Sequence, residues 1–387
     1  FEASKMATAY AVQAQKAVPV VAVSTDAIQA VTVEAEEPPA VPRPDPENAA
    51  AELVEKFDFP VGLARRVVKD AFEAFPERIW IVDNSGSMSS NDGHRILSKP
   101  HKPETTKIIG ASRWHELRDC VQEHGRIAAL LRAPTEFRLL NPPPGASQFV
   151  KVGQGDSDNE VAMLQAAMGT SPIGCTPLTQ HINRISADVR NKKAALNARG
   201  QTVAVVLATD GLPSDQSGQS TNRSNAAFRN ALQGLEGLPV FLVIRLCTDD
   251  DNIVDYWGNL DQQVELTLDV LDDFVGEAGE VQAKNPWLTY GLPLHRAREF
   301  GMRDKLFDLL DERQFSMSEM HEFVNLLFGT NLPDPAFDWK EFEDALKARL
   351  KLEPVVYSAL KKRPEQWVNI RALRKCYANG AGSCVCS

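Results

Sequence analysis

The sequence predicts an α/β protein whose doubly wound, mostly parallel sheet follows a helical lead and precedes a helical extension. The first observation is a pair of apolar runs without polar alternation, at 203–208 and 240–246, which is typical of strands covered on both faces. The second is that such runs alternate with amphipathic helical stretches. Short helical crossovers between strands favour parallel pairing with helices on both faces of the sheet.

The length and composition are those of a globular protein with more than one domain. The chain has 387 residues, which favours two domains over one. Its net charge of −10 argues against a broad nucleic-acid surface, because such a surface needs clustered Lys and Arg. No apolar stretch approaches the roughly 20 residues of a membrane helix. The expected partners are therefore proteins or small molecules.

A cytoplasmic location is expected. The six cysteines include no Cys-x-x-Cys pair and no zinc spacing with His, which is typical of a reduced, intracellular protein. The N-terminal residues lack the basic region, apolar core and cleavage site of a secretory signal. Because the chain starts at Phe1, either Met6 is the initiator or the N-terminus is processed or truncated.

Shifts in composition divide the chain into five predicted segments. Their bounds are 1–47 for a disordered proline-rich arm, 48–74 for a helix pair, 75–276 for the α/β domain, 285–378 for a helical region and 379–387 for a flexible tail. The helix pair distantly resembles the first two helices of a ubiquitin-associated domain, although a plain packing pair is the simpler interpretation.

Within the α/β segment, β-branched and aromatic runs predict strands, and apolar stripes at helical spacing predict helices. The predicted strands are 78–82, 137–140, 149–152, 203–208, 240–246 and 264–268. The predicted helices are 115–131, 161–168, 177–196 and 225–235. Thr176 is placed as the N-cap of the third helix and Pro177 as its first residue.

A polar loop follows the first strand directly, in the stretch FPERIWIVDNSGSMSS. Asp83, Ser85 and Ser87 are spaced two residues apart in this loop and offer one carboxylate and two hydroxyls. Ligands of open parallel sheets bind beyond the carboxyl ends of the strands. Because Mg²⁺ prefers hard oxygen ligands in octahedral geometry, the loop suits a small cation of this kind.

Two further residues lie at comparable places in the chain. Thr176 stands in GCTPL at the start of a predicted helix, and Asp210 stands in LATDGLP at the end of a predicted strand. Together with Asp83, Ser85 and Ser87, in this order, they resemble the metal-ion-dependent adhesion site of the von Willebrand factor A (VWA) domain. The resemblance covers about 200 residues, from 75 to 276.

The resemblance implies direct coordination of Mg²⁺ by the hydroxyls of Ser85, Ser87 and, in one conformational state, Thr176, with Asp83 and Asp210 acting through bound waters. Mn²⁺ and Ca²⁺ are alternative ions. Neutral hydroxyl ligands leave the cation under-neutralised, so that an Asp or Glu of a partner protein completes its coordination. The predicted function is an intracellular, Mg²⁺-dependent protein-interaction module. The alternative for the two carboxylates is capping of the following helix.

An enzyme is the rival interpretation, as a metal-dependent hydrolase using the same cation. Ser85 stands where an aspartyl phosphatase would carry a second carboxylate, and Ser87 lacks the Gly-x-Ser-x-Gly context of a hydrolase elbow. No catalytic residue is therefore predicted. A ubiquitin-linked adaptor acting through 48–74 is a third hypothesis.

The other polar residues near the loop are expected to lie on the surface. Residues 249–251 are expected to form a solvated acidic loop, and the nearby histidines to be lone surface residues; these histidines are His94, His101, His115 and His124.

The last four residues, Cys-Val-Cys-Ser, fit a prenylation pattern on Cys384. One lipid alone binds membranes marginally, so the basic residues upstream would contribute to peripheral attachment. An unmodified, disordered tail is the alternative, and both remain open at this point.

Overall fold

The structure is a computed structural model that describes residues 42–99, 101–215, 217–248, 250–261 and 263–378. Its α-helices are α1 (Pro46–Phe57), α2 (Val61–Lys69), α3 (Arg113–Leu131), α4 (Ser157–Met168), α5 (Leu178–Ala198), α6 (Asn222–Gln233), α7 (Asp251–Asp261), α8 (Phe274–Lys284), α9 (Leu292–Glu299), α10 (Lys305–Glu312), α11 (Met317–Phe328), α12 (Trp339–Leu350) and α13 (Ile370–Leu373). Its strands are β1 (Arg78–Val82), β2 (Gly93–Lys99), β3 (Lys102–Ala111), β4 (Thr135–Leu139), β5 (Phe149–Val152), β6 (Val203–Thr209), β7 (Val240–Leu246), β8 (Thr267–Leu271), β9 (Val356–Ser358) and β10 (Arg363–Glu365).

Six of these strands form the central sheet, in the order β5-β4-β1-β6-β7-β8. The pairs β4-β1, β1-β6, β6-β7 and β7-β8 are parallel, and β4-β5 is antiparallel. The prediction of an α/β protein with a mostly parallel sheet is therefore confirmed. The last strand begins at Thr267 rather than at 264, and β4 lies two residues earlier at its start than predicted.

The central sheet lies between two apolar clusters, because successive residues of a strand point to opposite faces. From β1, Trp80 and Val82 belong to one cluster and Ile79 and Ile81 to the other. Side chains of α3 and α4 complete the first cluster, and side chains of α5, α6 and α7 complete the second. All residues of β1, β6 and β7 are buried, which explains why their sequences are apolar without alternation.

A hairpin that was not predicted, β2-β3, separates the loop after β1 from α3. Its two strands are antiparallel, with Ile96 opposite Ile108, and most of its residues are half-buried or exposed. Few apolar residues mark it in the sequence, because its stability comes from cross-strand pairs rather than from a buried face of its own. The hairpin packs against α3 and contacts β9 and β10.

The N-terminal helix pair is present as α1 and α2, and it packs into the same apolar cluster as the C-terminal helices. The closest approach is at Gly62 of α2, where an added Cβ would lie 2.1 Å from both the Gly329 nitrogen and the Leu326 carbonyl oxygen. The described residues consequently belong to a single compact unit.

The C-terminal region is mostly helical, but it also contains the antiparallel pair β9-β10. Tyr357 and its neighbour Val356 are residue types that favour strands, and Tyr357 pairs with Pro364. The prediction of helices alone was therefore wrong for this stretch.

Two predicted segments fall outside the described residues. They are the proline-rich arm, of which only 42–47 is described, and the tail 379–387 with Cys384. Within the part of the chain that the structure describes, no helix has both the length and the apolarity to cross a bilayer.

Candidate metal centre

The loop after β1 holds Asp83 in a fixed orientation. The Asp83 side chain is fully buried, and its Oδ1 accepts a hydrogen bond from the Ser85 backbone N–H at 2.8 Å. Its Oδ2 accepts from the hydroxyl of Thr209, the last residue of β6, at 2.7 Å. Both oxygens are therefore aligned by neutral donors, one in the loop and one on the adjacent strand.

The two serines of the loop lie at the spacing of neighbouring metal ligands. Ser85 Oγ and Ser87 Oγ are 3.0 Å apart. An octahedral Mg²⁺ ion with bonds of about 2.0–2.1 Å places adjacent ligand oxygens about 3 Å apart. The Ser87 hydroxyl also donates to Asp210 Oδ1 at 2.8 Å. A chain of polar contacts therefore runs from Asp83 through both serines to Asp210.

Asp210 arrives at this place because β6 pairs with β1 in parallel, with Ala208 opposite Val82. The polar residues that follow the two strands therefore meet at one edge of the sheet. The helix that follows Asp210 begins at Asn222, with Thr221 as its N-cap. Capping of that helix by Asp210, the alternative role considered for it, is not what the structure contains.

Thr176 lies against the turn that follows Asp210. Its backbone N–H donates to Ser214 Oγ at 2.9 Å, and its carbonyl accepts from the Ser214 N–H at 3.0 Å. Its hydroxyl is 4.0 Å from the position that a Cβ on Gly211 would occupy. The helix after it starts at Leu178 with Pro177 at the N-cap, so the placement of Thr176 as N-cap was wrong. Its hydroxyl is consequently not used in capping.

A pair of asparagines, which sequence reasoning missed, joins the loops around the centre. Asn84 Nδ2 donates to the Asn141 carbonyl at 2.9 Å, and the Asn141 N–H donates to Asn84 Oδ1 at 2.8 Å. Asn141 Nδ2 also donates to the carbonyl of Cys175 at 2.8 Å. These bonds connect the Asp83 loop to the Thr176 loop. Only tertiary contacts reveal the pair, because the residues are 57 positions apart.

The buried carboxylates of Asp83 and Asp210 would be stabilised by a nearby positive charge. Burial, followed by the charge of Asp210, raises the pKa of Asp83 to about 6. Burial also raises the pKa of Asp210, although hydrogen bonds from Arg113 and Ser87 oppose this shift. Asp83, Ser85, Ser87 and Asp210 are linked by hydrogen bonds, and Thr176 lies against the turn after Asp210. Carboxylates and hydroxyls of this kind form a donor set that fits a hard divalent cation. The residues present therefore fit the metal that the resemblance implies.

Arg113 already supplies part of that positive charge, and sequence reasoning missed it. Its Nη1 donates to Asp210 Oδ2 at 3.0 Å, and its Nε donates to Asp92 Oδ1 at 2.7 Å. Its side chain is only 13% exposed. Arg113 is the first residue of α3, where nothing in the local pattern distinguishes it from an ordinary surface arginine.

The predictions for the nearby polar residues are partly wrong. His124 is fully buried rather than on the surface, and its Nε2 lies 3.1 Å from Glu299 Oε2. The sequence signal that could have indicated burial is its position on the apolar side of α3, four residues after Cys120. In the acidic loop, Asp249 lies outside the described residues, and Asp250 Oδ1 accepts from the Asn252 N–H at 2.9 Å.

Comparison with known proteins gives no family assignment. No protein-family model and no curated protein match the chain. Solved structures with some similarity include the PilB minor pilin from Streptococcus sanguinis and a mutant of that pilin, both 12% identical to this chain. Their TM-scores are 0.34 and 0.33, and each match covers 51% of this chain and 57% of the pilin chain. The chain matches little more than half of the pilin's length, and a likeness at this level supports no conclusion about fold or function.

Proposed function

We propose that this protein is a divalent-cation-dependent protein-interaction module with a doubly wound domain of the VWA type. The observation that carries the proposal is the contact series from Asp83 through Ser85 and Ser87 to Asp210, with Thr176 beside it. The parallel sheet between two apolar clusters supports the doubly wound arrangement.

In the proposed mechanism, the chain's own residues hold and orient a Mg²⁺ site. The hydroxyls of Ser85, Ser87 and Thr176 would supply neutral oxygen ligands, while Asp83 and Asp210 would act through bound water. When bound, the ion supplies a Lewis-acidic position that attracts a carboxylate. A site with few charged ligands keeps its affinity for an acidic side chain, which is what an interaction with an Asp or Glu of a partner requires.

The exposure of the loop fits such a role. Ser87 is exposed, whereas Asp83 and Asp210 are almost completely buried. Ser85 and Thr176 are buried as well, so that a ligand approaching from solvent meets Ser87 first. We propose that this centre binds a partner rather than catalysing a reaction.

Affinity capture with the purified chain tests this proposal. The chain is immobilised and exposed to cell extract in Mg²⁺ or in EDTA, and retained proteins are identified by mass spectrometry. The proposal predicts a partner that binds only in Mg²⁺ and loses binding when one of its own Asp or Glu residues is replaced by Asn or Gln.

Two matched variants serve as controls for the capture. Asp210→Asn removes a charge from the proposed centre, whereas Asp215→Asn removes one from an exposed turn nearby whose carboxylate only accepts local hydrogen bonds. Capture should be lost in the first variant and retained in the second. Equal capture in EDTA, or by Asp210→Asn, would contradict the proposal.

A further inference from the structure

A second polar site lies in a cleft away from the residues of the proposed adhesion centre. The cleft has a volume of about 640 Å³ and lies between the β2-β3 hairpin, α3, the start of α8, α9 and β9. Its walls carry charged side chains of both signs. His94, Glu116 and Asp273 are among these lining residues, and each comes from a different element: β2, the first turn of α3 and the N-cap of α8.

The three side chains converge on one point. One ligand atom from each of His94, Glu116 and Asp273 lies within 4.8 Å of the other two. His94 Nδ1 and Asp273 Oδ2 are 3.1 Å apart. Ligands of a divalent ion with bonds of about 2.0–2.2 Å lie about 3 Å from one another, so the separation suits a shared metal ion.

Each of these side chains is held in place by hydrogen bonds from the surrounding structure. Asp273 Oδ1 accepts the Val275 and Gly276 N–H groups at 2.8 and 2.7 Å, which leaves Oδ2 directed to His94. Glu116 Oε2 accepts the His94 backbone N–H at 2.7 Å, and Glu116 Oε1 pairs with Arg245, so that each oxygen keeps one lone pair for a metal ion. The site is therefore organised by the fold rather than by chance proximity of mobile side chains.

The solvent exposure and the net charge of this three-residue site also suit a bound cation. The His94 side chain is 39% exposed, while those of Glu116 and Asp273 are 11% and 10% exposed, so the site opens on the cleft at its imidazole side. Glu116 also pairs with the buried Arg245, which balances one of the two carboxylate charges. A divalent ion would then meet a site with a net charge near −1.

Among the residues that the structure describes, two other groupings of possible ligands fit a metal less well. Cys120, His124 and Glu299 are completely buried, and Glu299 already pairs with Arg296 at 2.7 Å and with His124.

The other grouping consists only of carboxylates. Its members Glu277 and Asp311 already pair with Arg298, at 2.5 and 2.8 Å. The cleft group combines an imidazole, two carboxylates and an opening to solvent.

We propose that His94, Glu116 and Asp273 form a binding site for a divalent transition-metal ion of the Zn²⁺ or Mn²⁺ type. Imidazole nitrogen is a preferred ligand of such ions and a poor one for Mg²⁺ or Ca²⁺, so the site differs in selectivity from the oxygen-only centre at Asp83. Three protein ligands leave at least one coordination position for water or for an anionic ligand in the cleft.

Zn²⁺ binding to the full chain tests this site. All proteins carry Asp83→Ala, which removes the first centre, and Cys384→Ser with Cys386→Ser, which removes tail thiols that could bind Zn²⁺. Calorimetry should show one Zn²⁺ per chain, and X-ray absorption at the zinc edge should show one imidazole nitrogen among oxygen ligands.

Two histidine variants in the β2-β3 hairpin, which lines the cleft, give a matched comparison. His94→Asn should weaken Zn²⁺ binding at least tenfold. His101→Asn should leave it unchanged, because His101 lines the same cleft but pairs with Asp58, at 2.8 Å. Circular dichroism of each variant verifies that the fold is retained. The absence of a bound Zn²⁺, or Zn²⁺ binding that is independent of His94, would overturn the proposal without affecting the site at Asp83.

Discussion

At the scale of single residues, Asp210 lies between the Arg113 guanidinium and the proposed Mg²⁺ centre. Its Oδ1 faces the Ser87 hydroxyl of the proposed Mg²⁺ centre, whereas its Oδ2 pairs with the Arg113 guanidinium. A Mg²⁺ ion at the serines and the guanidinium at Asp210 would repel each other across one carboxylate. Under the proposal, Arg113 therefore stabilises the metal-free site and weakens the binding of a cation.

Replacing Arg113 by Met should tighten Mg²⁺ binding about tenfold, because removing a unit charge within a few ångströms of the ion relieves on the order of 1.4 kcal/mol or more of repulsion. Arg113→Lys keeps the charge and should bind Mg²⁺ about as the natural chain does. Calorimetric titration of the three proteins measures the effect. Weaker binding by the Met variant would mean that Arg113 acts mainly by orienting Asp210.

At the scale of secondary-structure elements, the backbones of α2 and the end of α11 lie so close together that only glycine fits at position 62. The contact is made by Gly62, where a Cβ would meet backbone atoms that cannot move aside as a flexible side chain can. Together with the shared apolar cluster, this contact makes the N-terminal helix pair part of the C-terminal core. Its buried face is therefore not free to bind another protein, as the hypothesis of a ubiquitin-linked adaptor would require.

Gly62→Ala should lower the free energy of unfolding by more than about 2 kcal/mol, since the added methyl group forces α2 away from α11. Gly279→Ala, in the middle of α8 with nothing within 4 Å of the added Cβ, is the matched control. It should stabilise the protein by about 0.5–1 kcal/mol through its higher helix propensity. Urea denaturation of both variants measures the difference, and an unaltered stability of Gly62→Ala would contradict the described packing.

At the scale of the whole molecule, Arg298 connects the sheet to the C-terminal helices. This completely buried residue of α9 pairs with Glu277 of α8 at 2.5 Å, with Asp269 of β8 at 3.1 Å and with Asp311 of α10 at 2.8 Å. Three carboxylates around one guanidinium leave an excess of negative charge. Burial raises the pKa of Glu277 to about 8, against the attraction of Arg298 and with the help of Asp311.

Stability should therefore decrease as the pH rises from about 5 to 8.5. The pKa of Glu277 is higher in the folded than in the unfolded chain, so its contribution is complete below the unfolded value of about 4.3 and is lost as the pH passes through about 8. One such group changes the free energy of unfolding by at most about 1.4 kcal/mol per pH unit. Urea denaturation at a series of pH values measures this slope.

Glu277→Gln should flatten the slope, whatever its effect on absolute stability. Glu319→Gln on α11 is the matched control, because a hydrogen bond from Arg313 holds the pKa of Glu319 at about 2, outside this pH range. The slope of the control should equal that of the natural chain. An equal slope in Glu277→Gln would show that this residue does not carry the titration.

The features that could be predicted from the sequence are those formed by residues adjacent in the chain. The strand β1 and the loop from Asp83 to Ser87 are adjacent in the chain. Asp210 was expected near them because the five residues resemble the VWA metal site, and the pairing of β1 with β6 brings it there. Arg113 and Asn141 could not be predicted in the same way, because their roles come from tertiary contacts.

The hairpin and the buried histidine illustrate two further limits. The β2-β3 strands are largely polar, so their sequence resembles a loop until cross-strand pairing is known. His124 is buried because Glu299, 175 residues later, accepts its hydrogen bond and offsets the cost of removing it from water. The His94, Glu116 and Asp273 cluster likewise depends on three elements that no local pattern brings together.

The most direct test of the central claim is calorimetric titration of the full chain with Mg²⁺. The account predicts one Mg²⁺ per chain, lost in Asp83→Ala and in Asp210→Asn and retained in Asp215→Asn, with circular dichroism showing that all four proteins are folded. Mg²⁺ binding to Asp83→Ala and Asp210→Asn with the affinity of the natural chain would contradict it.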